Sequence, residues 1–174
     1  HKDGQLLNIH ELKSEEIDQF HEHYFKTSTP VVFRNAAQNW ACVKKWNLDY
    51  LREQCGEKNV LLAEAQGLTS KIESQNKIEI LEFQKLIDNI KEGGEKYLRF
   101  SPLIDQNPQL AEDLNLKWLD QLKGPGTIGN TYYLFVGGKK TVTHLHNDQP
   151  CNLFVQIYGQ KKWTLFPVRH SAFL

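Results

Sequence analysis

Tyr133 to Pro167 reads YLFVGGKKTVTHLHNDQPCNLFVQIYGQKKWTLFP. Two turn signals punctuate it, Gly137-Gly138 and Tyr158-Gly159-Gln160, and the apolar runs around them predict three strands. Residues two apart on a strand share a face. His146 and Asp148 therefore project an imidazole nitrogen and a carboxylate oxygen side by side. Two such ligands on one rigid strand are half to two-thirds of a metal site. One further His would complete the 2-His-1-carboxylate triad of non-haem Fe(II) oxygenases, which keeps positions open for co-substrate and oxygen. An isolated H-x-D is equally an ordinary His and Asp on the wet face of a strand, and His144, of the same parity, offers a competing His144-x-His146 pair.

The surrounding register decides between these readings. Thr143, His146, Asp148, Asn152, Gln156, Gly159, Lys161, Trp163, Phe166 and Pro167 fall in the order T-P-x-H-x-D, Asn, an apolar strand with Gln, G-x-K-x-W and F-P. This resembles the JmjC-type cupin domains of 2-oxoglutarate-dependent oxygenases, in particular hydroxylases of the factor-inhibiting-HIF type. Thr29 to Arg34 (TPVVFR), with Trp40, Lys45, Trp46 and Leu51 behind it, is similar to the opening of the same domains. The resemblance runs from about Thr29 to Pro167. His144 stands where the family usually has Pro, and Asn147 where it often has Tyr. Neither is a ligand position, so these departures bear on substrate specificity and not on the metal.

The resemblance implies a set of roles. His146 and Asp148 are Fe(II) ligands and the catalytic centre, with His144 a neighbour on the substrate side. Lys161 pairs with the distal carboxylate of the co-substrate 2-oxoglutarate; the competing reading turns Lys162 inward and leaves Lys161 in water, and strand parity alone does not choose. A buried ammonium needs a counter-ion, and a dicarboxylate supplies one. Thr143 and Tyr97 add hydroxyls to the same carboxylate, and Asn152 lies toward the metal end; the alternatives are a packed strand aromatic for Tyr97 and a turn residue after Pro150 for Asn152. Thr143 is three residues before His146, so a regular strand would turn it away, and its role needs a bulge or irregularity. Trp40, Trp46 and Trp163 are expected in the core. The implied reaction is oxidative decarboxylation of 2-oxoglutarate at Fe(II) coupled to hydroxylation of a substrate C–H bond. The implied substrate is a side chain of a protein or peptide. A JmjC lysine demethylase and a non-catalytic cupin-type binding module are the alternatives; a pure binding module has no need of His146, Asp148 and Lys161 together.

Composition narrows the field. The 174 residues suffice for one domain with a core. With 21 basic and 21 acidic residues the formal net charge is zero, and cations occur in pairs such as Lys44-Lys45 and Lys161-Lys162, without a stripe. Nucleic-acid binding is not the expected function. No apolar run reaches the roughly 20 residues of a membrane span, and no membrane partner is expected. Cys42, Cys55 and Cys151, an odd set without framework spacing, read as reduced thiols in the cytoplasm or nucleus. The oligomeric state stays open, a homodimer included.

Ahead of the motif, Ser14 reads as the cap of a helix presenting Ile17, Phe20, Tyr24 and Phe25. Val31–Phe33 suits a buried strand, Asn47 caps a helix to Gln54 that Gly56 ends, and Val60–Ala63 is a strand. Gln66 to Asn76 reads as an exposed loop and Leu81–Lys91 as the clearest helix, stopped by Gly93-Gly94. Tyr97–Phe100 alternates as a strand, Pro108 opens a short helix, and Gly124-Pro125-Gly126 is a turn. The order predicts an α+β chain: a helical or mixed N-terminal part, 1–123, packed on the first strands of a double-stranded β-helix (jelly-roll, cupin), 124–174. The only His after Asp148 is His170, just past Phe166-Pro167, where the family has a crossover. The expectation is an incomplete barrel whose third ligand lies beyond residue 174.

Overall fold

The computed structural model describes residues 8–63, 78–146 and 152–166. In chain order the elements are β1 (His10–Leu12), α1 (Ile17–Gln19) running into a π-helical stretch Phe20–Phe25, β2 (Val31–Phe33), α2 (Ala41–Lys45), α3 (Leu48–Cys55), β3 (Asn59–Ala63), β4 (Ile78–Glu82), α4 (Phe83–Lys91), β5 (Tyr97–Ser101), α5 (Pro108–Glu112), α6 (Leu116–Gln121) and β6 (Leu134–Gly137). The strands pair in three two-stranded sheets: β1–β2 parallel, β3–β4 antiparallel and β5–β6 antiparallel. Helices and mostly antiparallel pairs make an α+β chain, and among the described residues the strands close no barrel.

The core forms where α4 lies against the sheets. Phe83, Leu86 and Ile87, at helical spacing, are wholly buried, with Ile90 packed beside them. Each full burial contributes about 2 kcal/mol. Leu98 of β5 and Leu134 and Val136 of β6 join the same cluster, as do Cys42, Trp46, Leu51 and Cys55 from α2, its C-cap and α3. On β5, Tyr97 and Arg99 are only half-buried while Leu98 between them is fully buried. The core therefore takes one face of the β5–β6 pair and leaves the other for the site.

That pair is irregular. Tyr97 pairs with Gly137 and Leu98 with Val136, but Ser101, not Phe100, pairs with Leu134. One extra residue on β5 makes a bulge, and Phe100 sits in it at φ 53°, a left-handed conformation that is rare for an aromatic residue. Its ring is thrown outward against Tyr133 and Phe135 at centroid distances of 5.7 and 5.0 Å.

Several expectations change here. Leu81 does not open a helix: it is the partner of Val60 in the β3–β4 ladder, and the helix begins at Phe83. Ser14 does not cap; its hydroxyl donates to Glu15 at 3.1 Å, and Glu16 folds back to accept from the Lys13 N–H at 2.6 Å. Asn47 does cap α3, accepting from the Tyr50 N–H at 2.9 Å. β2 is half-buried, not buried. The three strands expected between Tyr133 and Pro167 reduce, among the described residues, to β6. Residues 141–146, 152–157 and 161–166 have no ladder partner among the described residues, and without one an extended segment is not a strand. The turn between the last two does form, at Gly159 with φ 73°. Phe154 and Trp163, on either side of it, meet edge to face at 4.8 Å. Gln66 to Asn76, Cys151 and the C-terminal residues from Pro167 lie outside the described residues.

Candidate functional site

Three of the four residues assigned to the co-substrate converge. Lys161 Nζ lies 3.2 Å from the Tyr97 hydroxyl, and that hydroxyl lies 3.4 Å from Thr143 Oγ1. They come from three pieces of chain: the start of β5, the irregular segment after β6, and the arm after the Gly159 turn. Thr143 meets Tyr97 from the segment 141–146, which is not a strand. Lys161 is half-buried and Lys162 exposed, so Lys161 is the one of the pair turned toward Tyr97. Asn152 is exposed at the start of the arm that precedes the turn.

The ammonium of Lys161 is ringed by aromatics. It stands 4.6 Å from the centroid of Trp163, 5.2 Å from Phe154 and 6.0 Å from Phe135. Its 5.7 Å from the Tyr97 centroid, taken with 3.2 Å to the hydroxyl, places it off the phenol oxygen and not over that ring. Trp163 is 45% exposed, so it is not the core residue expected; Trp40 and Trp46 are. The reason is local: Trp163 meets Phe154 and Lys161 and does not join the core cluster.

Gly137, cross-strand from Tyr97, makes room for that phenol. A Cβ at Gly137 would lie 2.7 Å from Tyr97 Cδ2 and 2.8 Å from Thr141 Oγ1. Thr141 in turn donates to the Gly138 carbonyl at 3.0 Å.

Of the metal residues, His146 is described and exposed; Asp148 and His170 lie outside the described residues. His146 Nδ1 is 2.7 Å from the His144 carbonyl. A carbonyl only accepts, so Nδ1 is the donor in this contact, and in the neutral ring Nε2 is the nitrogen that would face a metal. That fits the nitrogen donor of a facial triad. Among the described residues no three His, Cys, Asp or Glu side chains cluster as a metal site.

Asp113, just after α5, carries no motif and the sequence did not point to it. It is 4% exposed and accepts from Lys45 Nζ at 2.5 Å, Trp46 Nε1 at 2.9 Å and the Tyr50 hydroxyl at 3.2 Å. Burial pushes its carboxyl up, but the hydrogen bonds from Lys45 and Trp46, the Lys45 charge and the Tyr50 hydroxyl outweigh it and hold the group below the ordinary Asp value. It is a structural tie between α2, α3 and α5.

A family model described as a cupin-like domain matches residues 17–174. The chain belongs to that family. Curated relatives of this cupin-like domain carry names with JmjC chemistry in them. It is 28% identical over 163 residues to the lysine-specific demethylase 8 of Xenopus tropicalis, covering 94% of this chain and 37% of that protein. It is 29% identical over 157 residues to the lysine-specific demethylase JMJ30 of Arabidopsis thaliana, covering 87% and 35%. With the human bifunctional peptidase and (3S)-lysyl hydroxylase JMJD7 it shares 26% over 168 residues, covering 89% and 52%. The chain thus spans about a third to a half of the length of these relatives. None of the three names a factor-inhibiting-HIF-type hydroxylase. Among the described residues no helix is long and apolar enough to cross a membrane.

Proposed function

We propose that this cupin-like domain serves an Fe(II)- and 2-oxoglutarate-dependent oxygenase that hydroxylates a side chain of a protein or peptide. The observation that carries the reading is the meeting of Lys161, Tyr97 and Thr143. One ammonium and two hydroxyls stand in a row, Lys161 to Tyr97 to Thr143, and no ion pair of Lys161 with an acidic side chain is seen among the described residues. Such a cradle suits a carboxylate, whose oxygens accept several charge-assisted bonds. Phe135, Phe154 and Trp163 around it lower the local dielectric and strengthen the pairing.

His146 and Asp148 would hold the metal, and Asn152 would serve the end of the co-substrate nearer to it. Bound Fe(II) would supply the oxidation that couples decarboxylation of 2-oxoglutarate to C–H hydroxylation. The chain's own contribution is to orient the co-substrate through its distal carboxylate and to shield that end from water. The remaining strands of a double-stranded β-helix and a third ligand belong to the same reading.

The names of two relatives favour a second outcome, lysine demethylation. The chemistry is shared: hydroxylation of an N-methyl carbon yields an unstable product that loses formaldehyde. The test is succinate release by the full-length protein with Fe(II), 2-oxoglutarate and candidate peptides, followed by substrate mass. One oxygen gained supports hydroxylation, one methyl lost supports demethylation, and no 2-oxoglutarate binding or turnover overturns both in favour of a binding module.

A further inference from the structure

Lys161 is partnered in an unusual way. Its polar partner among the described residues is a phenol, Tyr97, and the rings of Trp163, Phe154 and Phe135 stand around it. An ammonium moved out of water normally takes a carboxylate partner. A carboxylate from the chain would compete with any anionic ligand for the same charge. An aromatic face does not: its quadrupole attracts the cation and leaves the ammonium's donors directed elsewhere.

We infer that Trp163 and Phe154 are positioning residues for the co-substrate, an aromatic box that holds the Lys161 ammonium on the Tyr97–Thr143 side without filling its anion-binding position. Their edge-to-face contact at 4.8 Å locks the two rings across the Gly159 turn, so the box is set by the same turn that presents Lys161. The inference rests on the carboxylate cradle proposed above. It adds a role for Trp163, which at 45% exposure contributes too little burial to be kept as a core residue.

The experiment is calorimetric titration of the full-length protein with 2-oxoglutarate and with succinate, alongside the thermal midpoint of each variant. Lys161→Ala tests the cradle; Trp163→Leu, Trp163→Phe and Phe154→Leu test the box. Trp163→Leu is expected to weaken both dicarboxylates about fivefold to tenfold, the scale of a partly desolvated cation–π contact. Trp163→Phe should restore most of that loss, and Phe154→Leu should weaken binding less, in the same direction. In turnover the loss should appear in KM for 2-oxoglutarate, with kcat kept at saturation. If Lys161→Ala binds as the parent does, the cradle itself is wrong. If Lys161→Ala weakens binding but Trp163→Leu does not, or Trp163→Phe loses as much as Trp163→Leu, the box is wrong and the cradle stands. Should Trp163→Leu not fold, unchanged binding in Phe154→Leu overturns the box and weakened binding supports it.

Discussion

Lys161 Nζ stands 3.2 Å from the hydroxyl of Tyr97, a residue 64 positions earlier in the chain. Tyr97 is fixed from behind: its strand neighbour Leu98 is locked in the core against α4. Lys161 is fixed from the front, by the turn at Gly159 and the rings on its own face. The pair thus ties β5 to a separate arm of the chain.

Lys161→Ala is expected to weaken 2-oxoglutarate binding by about 2 kcal/mol, roughly thirtyfold, the scale of a charge-assisted hydrogen bond at a half-exposed site. Lys162→Ala, altering an exposed residue, should leave it unchanged. A titration that ranks the two the other way round would show that the arm faces opposite to its structure.

Gly137→Ala places a methyl 2.7 Å from the Tyr97 ring, closer than carbon atoms approach. The phenol must swing away from Lys161 and Thr143. The expected result is dicarboxylate binding about tenfold weaker, with a smaller effect on stability because Gly137 is exposed; an overpacked site costs about 1–3 kcal/mol locally. Binding unchanged by this substitution would remove Tyr97 from the cradle.

Much of this was legible in the sequence, and the physical reasons differ by element. α4 was visible because Phe83, Leu86, Ile87 and Ile90 repeat at helical spacing, and α3 because Asn47 caps it. The parity of Thr143 argued for an irregular segment, and 141–146 is not a strand. Hidden were the features settled by distant partners. β4 exists through its ladder to β3 across a long connection. α6 is pinned by Trp118, whose indole donates to the Ser14 carbonyl at 2.8 Å from 104 positions away. The choice between Lys161 and Lys162 depended on Tyr97, and Trp163 looked like core because an indole's neighbours are not written beside it. Asp113 follows no motif; what distinguishes it is the three donors that α2 and α3 aim at it.

His146→Ala and, separately, Asp148→Ala in the full-length protein are expected to abolish 2-oxoglutarate turnover with the fold retained. His146 is exposed, so its removal leaves no core cavity, and the thermal midpoint should stay within a degree or two. Turnover at the parent's rate in either variant would remove that residue from the metal site. Dicarboxylate binding measured without metal should persist in both, since Lys161, Tyr97 and Thr143 remain.

Asp113 sets the expected acid limit of the fold. Its folded-state value lies below the ordinary one, so the stability it contributes is fully present above about pH 4 and is lost as pH falls through the lower folded value. Lys45 shifts the opposite way: its hydrogen bond to Asp113 raises it, so its share is present below the ordinary lysine range and lost only as pH rises past it. Between these limits the tie should be insensitive to pH. Asp113→Asn removes the charge but keeps an acceptor for Trp46 or Tyr50, and should cost about 2–3 kcal/mol at neutral pH, the loss of charge-assisted bonds at a buried group. Asp113→Ala should cost more, because it strands the Trp46 N–H among buried neighbours. Unfolding midpoints from pH 2 to 7 provide the check. The parent should lose stability toward low pH more steeply than Asp113→Asn, and the two curves should approach one another in acid. Parallel curves would mean that Asp113 is not held below its ordinary value, and the tie would then be a neutral hydrogen-bond cluster and not an ion pair.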